Sequence, residues 1–196
     1  MTVSNPSESI LRHLRGLAET AGRAEVLADS VARVVTLTLE TLRAGGKLMF
    51  CGNGGSAADA QHLATEYVVR FRRNRAPLAA IALTTDTSLL TAGGNDYGFE
   101  MIFERQVRAL GRPGDILFLH STSGESENLL MAAHAANELD VRTVALLARG
   151  GGRLAKLVDV PIIVPTDNGA HAQELHLAIG HAVCDAVESE LAGSDP

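Results

Sequence analysis

The chain has little cysteine, no excess of basic residues and no long hydrophobic run, and each absence excludes a class of protein. Two cysteines, Cys51 and Cys184, cannot build a disulfide framework or a thiolate metal site, and their apolar neighbours predict core positions. A net charge of -6 and a pI of 5.6 argue against nucleic-acid binding. No segment reaches the roughly 18 apolar residues of a membrane span. Met1 to Pro6 lacks the apolar core of a signal peptide. We therefore expect a cytoplasmic protein that binds neither membranes nor nucleic acid.

What is present is enough apolar sequence for one core. The 196 residues are 46% hydrophobic with a mean hydropathy of +0.11, which predicts one domain over 1–196. Helical periodicity is clear over Glu25–Arg43, and an earlier helix is expected over Glu8–Ala21. These two helices form a predicted N-terminal extension over about 8–44.

Short apolar runs and helix-like stretches then alternate along the chain. The runs predict five strands: Lys47–Cys51, Ala79–Leu83, Asp115–His120, Arg142–Leu147 and Val160–Val164. Helices are predicted between most of them, including Glu127–Leu139, and a last helix over Ala170–Leu191. This alternation favours an α/β fold with a parallel sheet covered on both faces, whose ligand sites lie beyond the carboxyl ends of the strands.

A glycine-rich segment, Gly52–Ser56, follows the first predicted strand, and the next helix carries His62 and Glu66 one turn apart. Glycine lets a backbone approach a ligand closely, and the helix N-terminus offers unpaired N–H groups. The segment therefore indicates a binding loop beside a metal or acid–base pair. It is equally compatible with an ordinary capping turn and a surface histidine.

Two further segments extend this pattern. His120–Ser126 follows the third predicted strand, and its hydroxyls, glycine and helix N-terminus suit a phosphate ester, although a capping turn also uses serine. Gly93–Gly98 is predicted as a third loop, in which Asn95 and Asp96 either bind sugar hydroxyls or simply form a turn.

The last predicted helix is rich in polar side chains. Gln173, Leu177 and His181 follow one another at intervals of four, so Gln173 and His181 can approach His62 and Glu66 from one side of the helix. A mononuclear metal site between two helices is therefore possible, but the spacing does not select Gln173 over Glu174. The basic stretch Arg70–Arg75 is most simply a solvated helix end, with an anionic substrate or a partner subunit as alternatives.

Together these motifs resemble those of the sedoheptulose 7-phosphate isomerase (phosphoheptose isomerase) family within the sugar isomerase (SIS) domain superfamily. The resemblance runs from about Gly45 to Glu188 and rests on Gly52–His62, Leu83–Asp86, Gly94–Asp96, Ser121–Gly124 and Gln173–Glu174 with His181. It implies a doubly wound, flavodoxin-like sheet and a cytoplasmic homotetramer with active sites at subunit contacts, in which the N-terminal helices are expected to take part. The implied reaction is conversion of sedoheptulose 7-phosphate into D-glycero-D-manno-heptose 7-phosphate.

The resemblance also implies roles for individual residues. One zinc ion per subunit would be bound by His62, Glu66, Gln173 and His181, and the catalytic residues would be Glu66 and His181. The substrate would be contacted by Asn53, Gly54, Gly55, Ser56, Glu66, Asn95, Asp96, Ser121, Thr122, Ser123, Ser126 and Gln173. The segment His120–Ser126, the serine loop, would hold the phosphate.

One departure from the family pattern affects the expected substrate. The family usually has a basic residue and an isoleucine before the Gln–Glu pair, where this chain has His171 and Ala172. Two alternatives therefore accompany the heptose reaction. One is isomerisation of another phosphosugar. The other is a non-catalytic tetrameric factor, like the relative that binds the replication initiator with a degraded metal constellation.

Overall fold

The computed structural model describes residues 5–191 and contains a five-stranded sheet in which neighbouring strands are parallel. The strands are β1 (Leu48–Gly52), β2 (Ala80–Ala82), β3 (Ile116–Ser121), β4 (Arg142–Leu147) and β5 (Val160–Ile163). Their order is β2-β1-β3-β4-β5, which is the flavodoxin-like order. The predicted sheet is confirmed, and the predicted strand ends are right to within one residue.

Helices cover both faces of the sheet. In residues 5–191 the α-helices are α1 (Pro6–Arg23), α2 (Ala28–Arg43), α3 (Gly55–Val68), α4 (Thr87–Tyr97), α5 (Ile102–Leu110), α6 (Glu127–Glu138) and α7 (Gly169–Leu191). Short 3-10 helices occupy Ala24–Leu27, Phe99–Met101, Arg149–Gly151 and Leu154–Lys156. None of the helices in this described range is long and apolar enough to cross a membrane.

The core has two halves because β1 alternates its side chains between the two faces. Leu48 and Phe50 pack with α2, α3 and α7, whereas Met49 and Cys51 pack with α5 and α6. A strand buried on both faces reads as an uninterrupted apolar run, which explains why the sequence predicts it well. Cys51 and Cys184 are free and buried as predicted, and burial raises the pKa of the Cys184 thiol to about 12.

Two local predictions are wrong. The helix predicted over Glu25–Arg43 begins as the 3-10 helix Ala24–Leu27, and α2 starts only at Ala28. The predicted loop Gly93–Gly98 is helical up to Tyr97, because Asp86 caps α4 by accepting a hydrogen bond from the Leu89 N–H at 3.0 Å. Gly98, at φ +96°, ends the helix. The expected domain limits, Met1 and Pro196, lie outside the described residues, and the single-domain assignment stays a prediction.

Candidate active site

The loop between β1 and α3 lies at the carboxyl edge of the sheet. Gly54 has φ +56°, a conformation that favours glycine. A Cβ at Gly52 would lie 2.5 Å from the Ser56 carbonyl oxygen, so the turn closes on itself too tightly for a side chain. Ser56 is buried in the first turn of α3, and within the described chain no side chain caps this helix end. The N-terminal amides of α3 are therefore available to a ligand.

The serine loop follows β3, the strand next to β1, with His120 paired in register with Gly52. The Gly124 N–H donates to Ser121 Oγ at 3.0 Å, and the Glu125 N–H donates to Ser123 Oγ at 3.2 Å. Thr122, Ser123 and Ser126 are half-buried. The two predicted loops are thus neighbours at the point where the strand order reverses, which is where doubly wound folds bind ligands.

Arg153 neutralises the acidic side chains that flank this loop. Its guanidinium contacts Glu125 at 2.7 Å and Glu127 at 2.8 Å. Hydrogen bonds from Arg153 lower the pKa of the Glu125 carboxyl, so Glu125 stays ionised and paired at neutral pH. Because both carboxylates are paired with a cation, the loop can accept an anion at the start of α6 with less repulsion.

A reciprocal pair of side-chain amides joins the β1–α3 loop to α6. Asn53 Nδ2 donates to Asn128 Oδ1 and Asn128 Nδ2 donates to Asn53 Oδ1, each at 2.9 Å. Asn128 is only 2% exposed, so it fixes the Asn53 side chain from within the protein. Asn128 is not among the residues predicted from the sequence. Its signal is a polar residue just before the buried Leu129 and Leu130 at the start of a helix.

Helices α3 and α7 lie side by side and run in the same direction. A Cβ at Gly55 would lie 2.6 Å from Gln173 Nε2, and a Cβ at Gly180 would lie 2.6 Å from the Leu63 side chain. The Gln173 amide therefore lies against the first turn of α3. Two turns further along the same pair of helices, the histidines meet.

The meeting point brings together His62, Glu66 and His181. His62 Nε2 lies 2.8 Å from His181 Nε2 and 3.2 Å from Glu66 Oε1. One donor atom from each of the three side chains lies within 4.8 Å of the other two. These three predicted ligands thus converge, and Gln173 lies on the same helix pair beside Gly55. Two imidazoles and a carboxylate form a donor set that suits a divalent transition metal.

The surroundings of His181 favour its neutral form. Burial lowers the pKa of His181, the neighbouring His62 lowers it further, and the Glu66 carboxylate opposes both effects. The Phe71 ring stacks on the imidazole with centroids 5.2 Å apart. A neutral imidazole can accept a proton or bind a metal ion.

The basic stretch Arg70–Arg75 is a loop and not the predicted solvated helix end, since α3 stops at Val68. The Glu188 carboxylate accepts hydrogen bonds from the backbone N–H groups of Phe71, Arg72 and Arg73 at 2.7 to 3.0 Å. Arg75 is buried beside it, with 3.2 Å between Arg75 Nε and Glu188 Oε1, and it donates to the Glu66 carbonyl at 2.7 Å. The loop therefore secures the end of α3 that carries Glu66.

Comparison with known proteins identifies the family. Residues 14–148 match the SIS domain. The phosphoheptose isomerase of Akkermansia muciniphila is 49% identical over 187 residues, which cover 95% of this chain and 99% of that protein. The chain belongs to the phosphoheptose isomerase family. The phosphoheptose isomerase structure from Neisseria gonorrhoeae is 44% identical with a TM-score of 0.90, covering 94% of this chain and 100% of its own. The one from Francisella tularensis is 37% identical with a TM-score of 0.92, covering 94% and 99%.

Two residues that the family resemblance places on the substrate do not join this cluster. Asn95 and Asp96 lie near the end of α4, where Asn95 Nδ2 donates to Asp96 Oδ1 at 2.7 Å. In the part of the chain that the structure describes, no hydrogen bond connects either side chain to the two loops. Within one chain Asn95 and Asp96 are therefore separate from the two loops, and their contact with the substrate stays a prediction.

Proposed function

We propose that the protein is an aldose–ketose isomerase that converts sedoheptulose 7-phosphate into D-glycero-D-manno-heptose 7-phosphate, the first step towards nucleotide-activated heptose. The observation that carries the proposal is the convergence of Glu66 and His181 between α3 and α7, where α3 is the helix that begins at the glycine-rich loop. The identity of 49% to a phosphoheptose isomerase supports the same reaction.

The reaction requires a base at carbon and a proton carrier at oxygen. A proton must leave C1 of the ketose, an enediol must form, and a proton must arrive at C2. In our proposal Glu66 moves the proton between the two carbons, and His181 transfers protons at the two oxygens. The 3.2 Å contact between Glu66 Oε1 and His62 Nε2 supports this role, because it holds the carboxylate in the cluster with His181.

The two loops are proposed to hold the substrate. Ser121, Thr122, Ser123 and Ser126 would bind the phosphate at the N-terminus of α6, where hydroxyls and backbone amides favour an oxyanion. The remaining contacts are assigned to Asn53, Gly54, Gly55, Ser56, Glu66, Asn95, Asp96 and Gln173. The Asn53–Asn128 amide pair supports this arrangement, since it holds one proposed sugar contact in a fixed orientation.

We assign one zinc ion per subunit to His62, Glu66, Gln173 and His181. The donor set fits, because two imidazole Nε2 atoms 2.8 Å apart cannot both carry a proton, and a nitrogen without its proton is the form that binds metal. When bound, the ion would polarise the sugar carbonyl and stabilise negative charge on the enediolate. Gln173 is included as the fourth ligand on the family resemblance, and its amide lies on the same helix pair, against Gly55.

A homotetramer with sites at subunit contacts is also proposed. Helix α1 exposes Ile10, Leu11 and Leu14 in the single chain, with Ile10 60% exposed, and Phe99 is 63% exposed. An apolar stripe of this kind is typical of a surface that another subunit covers. A shared site would also give Asn95 and Asp96 access to substrate. Light scattering at micromolar concentration tests the assembly, and a monomer would contradict it. The cytoplasmic location stays a prediction.

The activity test is incubation of the zinc-loaded protein with sedoheptulose 7-phosphate. We expect aldose heptose 7-phosphate to accumulate, and chelation of the metal to stop its formation. If the folded, metal-loaded protein forms no heptose, the substrate assignment is wrong. Pentose and hexose phosphates then test the second reading, an isomerase for another phosphosugar, before a purely binding role is considered.

A further inference from the structure

A second group of possible metal ligands lies between α1 and α7. It consists of His13 on α1 with His171 and Glu174 on α7, and one donor atom from each lies within 4.8 Å of the other two. His13 Nε2 lies 3.1 Å from Glu174 Oε1. The rings of His13 and His171 meet edge to face with centroids 4.7 Å apart. Residues far apart in the sequence thus place two imidazoles and a carboxylate together.

His171 is the buried member of this group. It is 6% exposed, and its Nε2 has no hydrogen-bond partner among residues 5–191. A buried polar atom without a hydrogen-bond partner destabilises the fold. The His13 and Glu174 side chains are about 40% exposed, so the group opens to solvent on one side. An ion from solution can therefore reach it, and a cation held by the three side chains would give the buried imidazole a partner.

Packing holds His171 in place. Gly16 on α1 lies so close that a Cβ there would come within 2.7 Å of His171 Cε1. Glycine at this position leaves room for the ring, and the contact restricts where the ring can move. A preorganised buried donor strengthens metal binding because less ordering is required when the ion arrives.

This group is separate from the proposed catalytic site, although both use α7. Gln173 and Glu174 are neighbours in sequence and therefore project about 100° apart around the helix. Gln173 lies against Gly55 of α3, whereas Glu174 contacts His13 of α1. His171 and Glu174 are three residues apart and share one side of the helix.

We propose that His13, His171 and Glu174 form a second metal site, which binds zinc or a similar divalent transition metal and joins the N-terminal helix to α7. Two histidines and one glutamate are a known zinc donor set, with a remaining position for water. The ion would connect segments separated by more than 150 residues and would limit the motion of α1. This inference does not depend on the isomerase activity.

The test is metal stoichiometry of the full chain, stripped of metal and then dialysed against buffered nanomolar free zinc. We expect two zinc ions per chain in the wild type and one in His13→Ala. His181→Ala should retain one ion, and the double variant His13→Ala/His181→Ala should bind none. His134→Ala, which removes an exposed histidine on α6, is the matched control and should still bind two.

Thermal unfolding gives a second measurement that does not require activity. In the His181→Ala background, zinc should raise the unfolding temperature, and adding His13→Ala should remove that increase while circular dichroism shows the same helix content. An unchanged stoichiometry between wild type and His13→Ala would overturn the second site. A wild type that binds a single ion, lost in His13→Ala and kept in His181→Ala, would support the second site and contradict the catalytic metal instead.

Discussion

Helix α7 takes part in two histidine clusters, and their surroundings differ. On the α3 side, His62, Glu66 and His181 meet about two turns along the helix that begins at the glycine-rich loop, whose backbone amides are available to a ligand. On the α1 side are His13, His171 and Glu174, and Gly16 packs against the His171 imidazole. Similar donors therefore suit different purposes. The first cluster lies on the helix that follows a candidate ligand loop and suits a catalytic role, whereas the second lies between the N-terminal helix and α7 and suits a structural one.

The largest expected effect is on kcat, when the Glu66 carboxylate is replaced. Glu66→Gln removes the proposed base, so kcat should fall by about 1,000-fold, within the range for loss of general acid–base catalysis. Steady-state isomerisation of sedoheptulose 7-phosphate measures this, together with zinc content and circular dichroism. Glu190→Gln, near the exposed end of α7, is the matched control and should keep wild-type kcat. Retention of most of the activity by Glu66→Gln would refute its role as the base.

A pair of glycine substitutions compares the two clusters directly. In Gly55→Ala the new methyl meets the Gln173 amide at 2.6 Å, and in Gly16→Ala it meets the His171 ring at 2.7 Å. We expect Gly55→Ala to lower kcat about 100-fold, since small misplacements at a catalytic centre have effects of that size. Gly16→Ala should lose the second zinc ion. Gly22→Ala, where the structure has open space, is the control. Equal zinc content in all three variants would mean that neither contact positions a ligand.

A smaller effect is expected from the amide pair behind the first loop. Asn128→Leu leaves the Asn53 amide without its buried partner, which costs about 1–3 kcal/mol and corresponds to roughly tenfold or more in kcat/KM. Because Asn128 acts by positioning Asn53, Asn128→Gln, which keeps an amide on a longer side chain, should retain more kcat/KM than Asn128→Leu. The simpler control is Asn137→Leu on the exposed side of α6, which should keep kcat/KM. Equal kcat/KM in Asn128→Leu and Asn137→Leu would remove Asn128 from the account.

The last prediction concerns Glu188, which attaches α7 to the loop after α3, and its contribution to the free energy of unfolding. Burial raises the pKa of Glu188, but three backbone N–H groups and Arg75 lower it more, so the folded-state pKa lies below its usual value. A depressed carboxyl pKa stabilises the fold above the unfolded-state pKa, and this contribution is lost as pH falls through the folded-state value. Glu188→Gln should therefore cost about 3 kcal/mol at pH 7, because it leaves Arg75 buried without its partner.

Denaturant unfolding at several pH values measures this dependence. The difference in free energy of unfolding between wild type and Glu188→Gln should become smaller as pH falls below about 4.5, the ordinary pKa of glutamate. Glu190→Gln, whose carboxylate is 63% exposed, should stay close to wild type throughout. If the difference in free energy of unfolding did not change with pH, the destabilisation would come from packing and not from the Glu188 charge.

The parts of the fold that could be predicted are those that local sequence determines. Strands such as β3 and β4 are buried on both faces, so their sequences are apolar throughout. The loops after β1 and β3 were found because parallel strands place their carboxyl ends at one edge. The end of α4 differs from the prediction because the helix capped at Asp86 continues through Gly93 and Gly94 to Tyr97.

Other features depend on contacts between remote parts of the chain. The burial of Arg75 follows from Glu188, more than 100 residues later, and the burial of His171 follows from its packing on α1. Spacing alone did not distinguish Gln173 from Glu174. The structure places them on different neighbours, since Gln173 lies against Gly55 and Glu174 against His13. Sequence periodicity gives the side of a helix but not the helix that packs there.

The most direct test of the central claim is isomerisation of sedoheptulose 7-phosphate in deuterated water, comparing wild type with Glu66→Gln. Mass spectrometry and NMR would follow the aldose product and the deuterium at C2. We predict heptose 7-phosphate from the wild type, with deuterium at C2 in the fraction of turnovers where the proton held by Glu66 exchanges with solvent, and almost no product from the variant. Absence of product from folded, zinc-loaded wild type, or undiminished product from Glu66→Gln, would contradict the account.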